Sequence, residues 1–289
     1  MTSHRTLVGT VALLAALMCG QPAHAEWRAS KLDRALQQAP AGSRQAVIIR
    51  YRPGADARVA AQVQRHGNQI RSRFATIGAA SADVTADDLQ TLAANPDVES
   101  ISLDAPVHAT ATPATSTTLA TAPSLRATLG LTPSATGVGI GVAVIDSGIA
   151  PLRQFGRRLR AFYDFTSGAA VATLPVDPYG HGTHVAGLIG GNDGAYMGVA
   201  PLVSLIGLRV LDSTGAGRTS DVIAALDFAV ANRARFNLRV INLSLGHPIL
   251  APAADDPLVQ AVEAAVRAGL VVIVSAGNIG LNRSEEHTS

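Results

Sequence analysis

The 289-residue chain contains one cysteine (Cys19), one tryptophan and one lysine (Lys31). A lone cysteine forms no intrachain disulfide, so the fold must be held by its core and its hydrogen bonds. Charge is sparse, at 15% of residues, and neither sign dominates: 23 Lys and Arg stand against 21 Asp and Glu. The balance holds on both sides of residue 123, which excludes the basic arm or stripe that would point to nucleic acid. The scarcity of lysine fits a GC-rich coding sequence and carries no functional weight. Long apolar runs are missing too. The run from Leu7 to Met18 is too short to span a bilayer, and no other segment reaches about 18 uninterrupted apolar residues. What the chain does have is 47% hydrophobic residues, enough to bury a sizeable core in two modest domains.

His4 and Arg5 precede that first run, and Ala23-His24-Ala25 follows it. This is the charged, apolar, small-x-small order of a secretory signal spanning residues 1–25. Cleavage would leave Glu26 first and remove Cys19. Lipid attachment at Cys19 is disfavoured by the bulky Met18 before it. The expected mature protein is exported and not membrane-bound. At the other end, residues 283–289 form a polar tail that interrupts an apolar, glycine-containing segment without cap or turn logic. They resemble the translation of a common sequencing adapter. The expectation is that they are non-native and that the natural chain continues beyond about Asn282.

Residues 46–103 alternate short elements. Ala46 to Tyr51 reads as a strand, and Asp56 to His66 as a helix with Val59 and Val63 on one face. Ile70 to Thr76 and Ala79 to Val84 could pair as strands across Ile77-Gly78. Thr85, with Asp88 at capping-box spacing, opens a second helix that Pro96 ends, and Val98 to Leu103 is a last strand. The order β-α-β-β-α-β predicts a small α+β domain of the split βαβ, ferredoxin-like kind over residues 26–109. Nothing in it combines nucleophile, base and orienting acid, and His66 reads as a solvated helix end. From Ala105 to Pro123 the composition shifts to Ala, Thr, Pro and Ser. Such a stretch buries little, so residues 110–123 are expected to be a linker open to cleavage.

Beyond it, over 124–282, apolar strands alternate with helices. The strands are Ile140 to Asp146, Val203 to Val210, Arg239 to Ser244 and Leu270 to Ser275. The helices are His181 to about Gly190, Thr219 to about Arg235 and Pro257 to Ala268. Strands apolar on both faces and joined by helices predict an α/β fold with a parallel sheet covered on both sides. In such sheets function gathers at the carboxyl ends of the strands. Asp146 ends one of them, before the turn Ser147-Gly148. Taken alone, it could equally bond turn amides.

A second motif weighs on the site reading. Gly180-His181-Gly182-Thr183-His184-Val185-Ala186-Gly187 sets an imidazole in the first turn of a helix between glycines. Four segments occur in one order: Ala143-Val-Ile-Asp-Ser-Gly-Ile149, Asp177 with Gly180-His-Gly-Thr-His-Val-Ala-Gly187, Gly198-Val-Ala-Pro201, and Ser275-Ala-Gly-Asn278. Through them the chain resembles the subtilisin-like serine proteases, and its upstream domain resembles the inhibitory propeptide of that family. The resemblance implies a secreted serine endopeptidase precursor acting on polypeptides, with its own propeptide in the cleft, and a monomer.

It further implies that Asp146 orients His181 and stabilises its charge, and that His181 is the general base and then the general acid. His184 is expected to pack as support within the helix region. Asn278 would donate to an oxyanion. Gly215, Ala216 and Gly217 would pair with an extended substrate on one side, and Ser244, Leu245 and Gly246 on the other. With Ser275, Ala276 and Gly277 they would wall the pocket for the residue before the scissile bond, where no charged side chain stands.

The nucleophile is missing. The chain carries no Gly-Thr-Ser motif at a helix start, and Ser147, Ser244 and Ser275 belong to strand-end turns, so these 289 residues alone are expected to be inactive. No cofactor is required for the chemistry. Structural calcium is left open: Leu188 to Met197 is shorter than the calcium loop of many relatives, and Phe155 stands nine residues after Asp146, where calcium-binding relatives carry an acid. Asn192 and Asp193 remain as oxygen donors.

A metal hydrolase using His181 and His184 lacks a third ligand or base glutamate. Gly137, Gly139 and Gly141 precede a strand, whereas a dinucleotide fingerprint must follow one. The rival from another class is a non-catalytic peptide-binding or inhibitory relic of the same fold.

Overall fold

The structure, a computed structural model, describes residues 31–110, 123–193 and 197–277. The signal segment, most of the 110–123 linker, Asn278 and the 283–289 tail lie outside the described residues.

The first part of the chain builds a four-stranded antiparallel sheet. Asp33 caps a short helix, α1 (Arg34–Gln37), by accepting the Leu36 amide at 2.8 Å. There follow β1 (Arg44–Tyr51), α2 (Asp56–Arg65), β2 (Gln69–Phe74), β3 (Ala79–Thr85), α3 (Ala86–Ala93) and β4 (Val98–Leu103), with sheet order β2-β3-β1-β4. This is the expected β-α-β-β-α-β arrangement. Successive residues of a strand face opposite sides, and β1 uses both. Val47 and Ile49 pack with Val59, Val63, Leu89 and Leu92 of α2 and α3. Ile48, between them, turns the other way and joins Phe74 in the core of the larger α/β part. His66 sits at the end of α2 with its Nδ1 2.6 Å from Asp88 Oδ1.

Next comes β5 (Pro106–Ala109), then α4 (Pro123–Thr128). The larger part follows with β6 (Gly141–Asp146), β7 (Leu159–Asp164), β8 (Val171–Ala172), α5 (His181–Gly190), β9 (Ser204–Arg209), β10 (Ala216–Arg218) and α6 (Thr219–Ala231). It ends with β11 (Leu238–Leu243), β12 (Leu245–Gly246), α7 (Pro257–Arg267) and β13 (Val271–Val274). Its main sheet has order β13-β11-β6-β9-β7-β8, and every pairing is parallel except that of β8. All six residues of β6 are buried, as a central strand covered on both faces requires. Among the described residues no helix is long and apolar enough to cross a membrane.

The expectation that Ala105 to Pro123 buries little is corrected at its start. Val107 is fully buried, and β5 forms a three-stranded sheet between β10 and β12. A short segment of small residues becomes a strand when two edges from elsewhere in the chain supply its partners.

The small sheet is tied to α6 by polar contacts. Asp104 accepts from the Ser220 amide at 2.8 Å and the Ser220 hydroxyl at 2.7 Å, doing for α6 what Arg218, at its N-cap position, does not. Asp227, on the same helix, accepts from the Ala75 amide at 2.7 Å and from the Thr76 hydroxyl.

Candidate active site

Asp146 closes β6 at the carboxyl edge of the sheet, and His181 opens α5. Both are buried. His181 Nδ1 lies 2.8 and 2.9 Å from the two carboxylate oxygens of Asp146, one of which also accepts the Ser147 amide at 2.7 Å. The hydrogen bond that His181 donates to Asp146 raises the imidazole pKa above its ordinary value, against the opposing effect of burial. With the Nδ1 proton held by the carboxylate, Nε2 of the neutral ring is left with a lone pair to accept a proton.

Glycines permit this approach. A Cβ on Gly182 would stand 2.2 Å from Gly148 O and 3.0 Å from Asp146 Cβ. Gly148, at φ +126°, would set its own Cβ 2.0 Å from Val176 O.

Two residues that the sequence offered only as members of motifs, with no role of their own, position the histidine helix. Asp177 accepts from Ser147 Oγ and the Gly180 amide, each at 2.8 Å, through one oxygen. Through the other it accepts from the Thr183 amide at 2.7 Å and the Thr183 hydroxyl at 2.5 Å. Burial pushes its carboxyl up, but the bonds from Thr183, Gly180 and Ser147 outweigh it and the pKa falls. Asp177 thus caps the histidine helix from outside it. Ser147 completes the link by accepting the Gly182 amide at 3.0 Å. The signal was available: an aspartate three residues before a glycine that starts a helix has capping spacing.

His184 does not pack as support. It is exposed, although i, i+3 spacing sets it on the same side of the helix as the buried His181.

The expected substrate edges form a groove that β5 fills. Gly217 pairs with Val107 and Ala216 with His108 on one side; Gly246 pairs with His108 and Leu245 with Ala109 on the other, all antiparallel. Gly215 O accepts the Ala109 amide at 3.0 Å, and Ser244 O accepts the Thr110 amide at 3.2 Å. Ser275, Ala276 and Gly277 follow β13 and belong to neither edge of this three-stranded sheet. The Ser275 amide is bonded to Leu243 O at 3.2 Å, beside Ser244. Asn278 lies outside the described residues. Asn192 bridges to Met197, and among the described residues no cluster of three His, Cys, Asp or Glu side chains could hold a metal ion.

The profile of the Subtilase family matches residues 137–289. The chain belongs to this family. Among curated subtilase relatives, Serine protease AprX of Bacillus subtilis (strain 168) is 33% identical over 227 residues, covering 74% of this chain and 49% of that protein. Subtilisin E of the same organism is 33% identical over 230 residues, covering 77% of this chain and 55% of its own length. The chain therefore spans about half the length of these relatives. Among solved structures, fervidolysin from Fervidobacterium pennivorans shares the fold, with a TM-score of 0.68 at 19% identity over 86% of this chain and 42% of that one.

Proposed function

We propose that this subtilase is the precursor of a secreted serine endopeptidase, and that Asp146 and His181 are two members of its triad. The observation that carries the reading is the doubly bonded Asp146–His181 couple at the carboxyl edge of the sheet. On this reading His181 Nε2 takes the proton of an attacking serine hydroxyl and returns it to the leaving amine. Asp146 fixes the ring and offsets the charge that forms on it. The serine comes from natural sequence downstream of Asn282, since no Gly-Thr-Ser segment lies between Met1 and Ser289. Asn278 is proposed as an oxyanion donor.

Residues 26–109 then act as a propeptide that fills the cleft. The pairing of β5 with β10 and β12 supports this, because it is the strand addition an extended peptide substrate would make. The 110–123 linker would carry the processing site.

Sequencing the natural gene across Asn282, followed by a casein-hydrolysis assay of the full-length product, tests the proposal. A downstream Gly-Thr-Ser segment with activity blocked by a serine-directed inhibitor supports it. A natural stop directly after Ser289 overturns it in favour of a binding or inhibitory relic.

A further inference from the structure

Arg158 closes the end of the histidine helix that lies opposite His181. It is the last residue of the 3-10 turn Gly156–Arg158 and is half-buried. Its guanidinium faces main-chain oxygens. Nη1 donates to Gly190 O at 2.6 Å and approaches Val203 O at 3.5 Å, and Nη2 donates to Gln154 O. Burial alone perturbs it, with no carboxylate contributing, and guanidinium keeps its charge at any working pH.

Gly190 is the last residue of α5. The free carbonyls of a helix C-terminus carry the negative end of its dipole, where a cation is stabilising. Convergence of main-chain oxygens from three segments on one positive centre is also how a calcium ion is held. Beside this cradle Phe155 is fully buried in a cluster with Val203 and Ala186, so its side chain offers no oxygen to a metal. A Cβ on Gly198 would stand 2.8 Å from Gly187 O and from the amide nitrogens of Gly190 and Gly191, so Gly198 itself packs directly against the helix end.

We propose that Arg158 supplies from within the chain the cation that fixes the C-terminal end of the histidine helix, which makes it a positioning residue for His181. The inference rests on His181 acting as the base. A ten-residue helix is a rod of about 15 Å. At its other end Gly182 packs against Gly148 O with no slack, so release at Gly190 is levered onto the Asp146–His181 bond. Misplacement of a reacting group by about an ångström can cost up to a hundredfold in rate.

The test uses the full-length chain with Arg158→Ala and Arg158→Lys. In Arg158→Ala, kcat is expected to fall roughly ten- to a hundredfold with KM little changed. Millimolar guanidinium should restore much of it, and calcium should not. Arg158→Lys, which keeps the charge but loses the fork, should lie between.

Hydrogen exchange of the Gly191 amide, bonded to Gly187 O at 2.9 Å, should quicken in Arg158→Ala and ignore a chelator in the wild type. Wild-type kcat in a folded Arg158→Ala, rescue by calcium, or unchanged exchange at Gly191 would each overturn the inference. Should the wild type hydrolyse no peptide, the proposed function fails, while Gly191 exchange still reads the hold of Arg158 on the helix.

Discussion

Asp104 caps a helix that begins 115 residues later, receiving both the amide and the hydroxyl of Ser220. Its neighbour across this contact is Asp221, buried with one carboxylate oxygen unpartnered. Burial, and then the charge of Asp104, push the Asp221 pKa up to about 7, while Arg71 and Arg218 draw it down and Asp164 adds to the rise.

That pair makes docking of the small domain pH-dependent. In the docked state Asp221 holds a proton that an ordinary carboxylate, with a pKa of 3.8, releases. Below that value there is no penalty; it grows as pH rises and is complete near 7. The thermal midpoint of the precursor should therefore fall between about pH 4 and 7 by more than that of Asp221→Asn. Parallel curves for the two proteins would refute the link.

Asp146→Asn should leave the fold intact and lower kcat on the order of 10⁴-fold, as in other serine-protease triads, because the amide favours the wrong imidazole tautomer. The hydrogen bond to Asp146 holds the His181 pKa up. In the wild type the acid limb of the kcat/KM profile should thus lie above the ordinary imidazole value. The mutant's limb should move down, and an unmoved limb would count against the pair.

Gly182→Ala should destabilise the protein by about 1–3 kcal/mol, since its Cβ meets backbone at 2.2 Å. Gly187→Ala, on the same helix, meets only Gln154 Nε2 at 3.6 Å and should be neutral or slightly stabilising. Urea denaturation of the two variants distinguishes them, and equal midpoints would contradict the packing argument.

Maturation should depend on the same histidine. A full-length His181→Ala precursor, purified in isolation, is expected to keep its N-terminal domain, whereas the wild type is cut within residues 110–123. Mass spectrometry of the two products decides, and normal maturation of the variant would rule out self-cleavage.

Much of this fold was legible because long elements carry their own periodicity. Val98–Leu103 and His181–Gly190 fall on the expected residues, and Asp146 and His181 stand at the element ends where the motifs set them. The helix from Thr219 stops at Ala231, short of Arg235, because Asn232 turns its side-chain amide back to Phe228 O at 2.9 Å. The strands β5, β10 and β12 have two to four residues and exist only by pairing across about a hundred residues or more, so no local pattern announces them. Strand β7 escaped because Arg160 and Asp164 break its apolar run. Asp164 is instead satisfied by Arg209 at 2.8 Å. Arg158 acts on the carbonyls of Gly190 and Val203, 32 and 45 residues away, which composition and spacing alone reveal poorly, whereas Asp177 stood at capping distance from Gly180.

The central claim is that Asp146 and His181 activate a serine. The most direct test is labelling of the full-length protein by a fluorophosphonate, with the modified residue located by mass spectrometry. The wild type should be labelled at one serine of the natural sequence downstream of Asn282, and His181→Ala should react at least roughly a thousandfold more slowly. Labelling at the same rate in both proteins, or none in a folded wild type that contains such a serine, would contradict it.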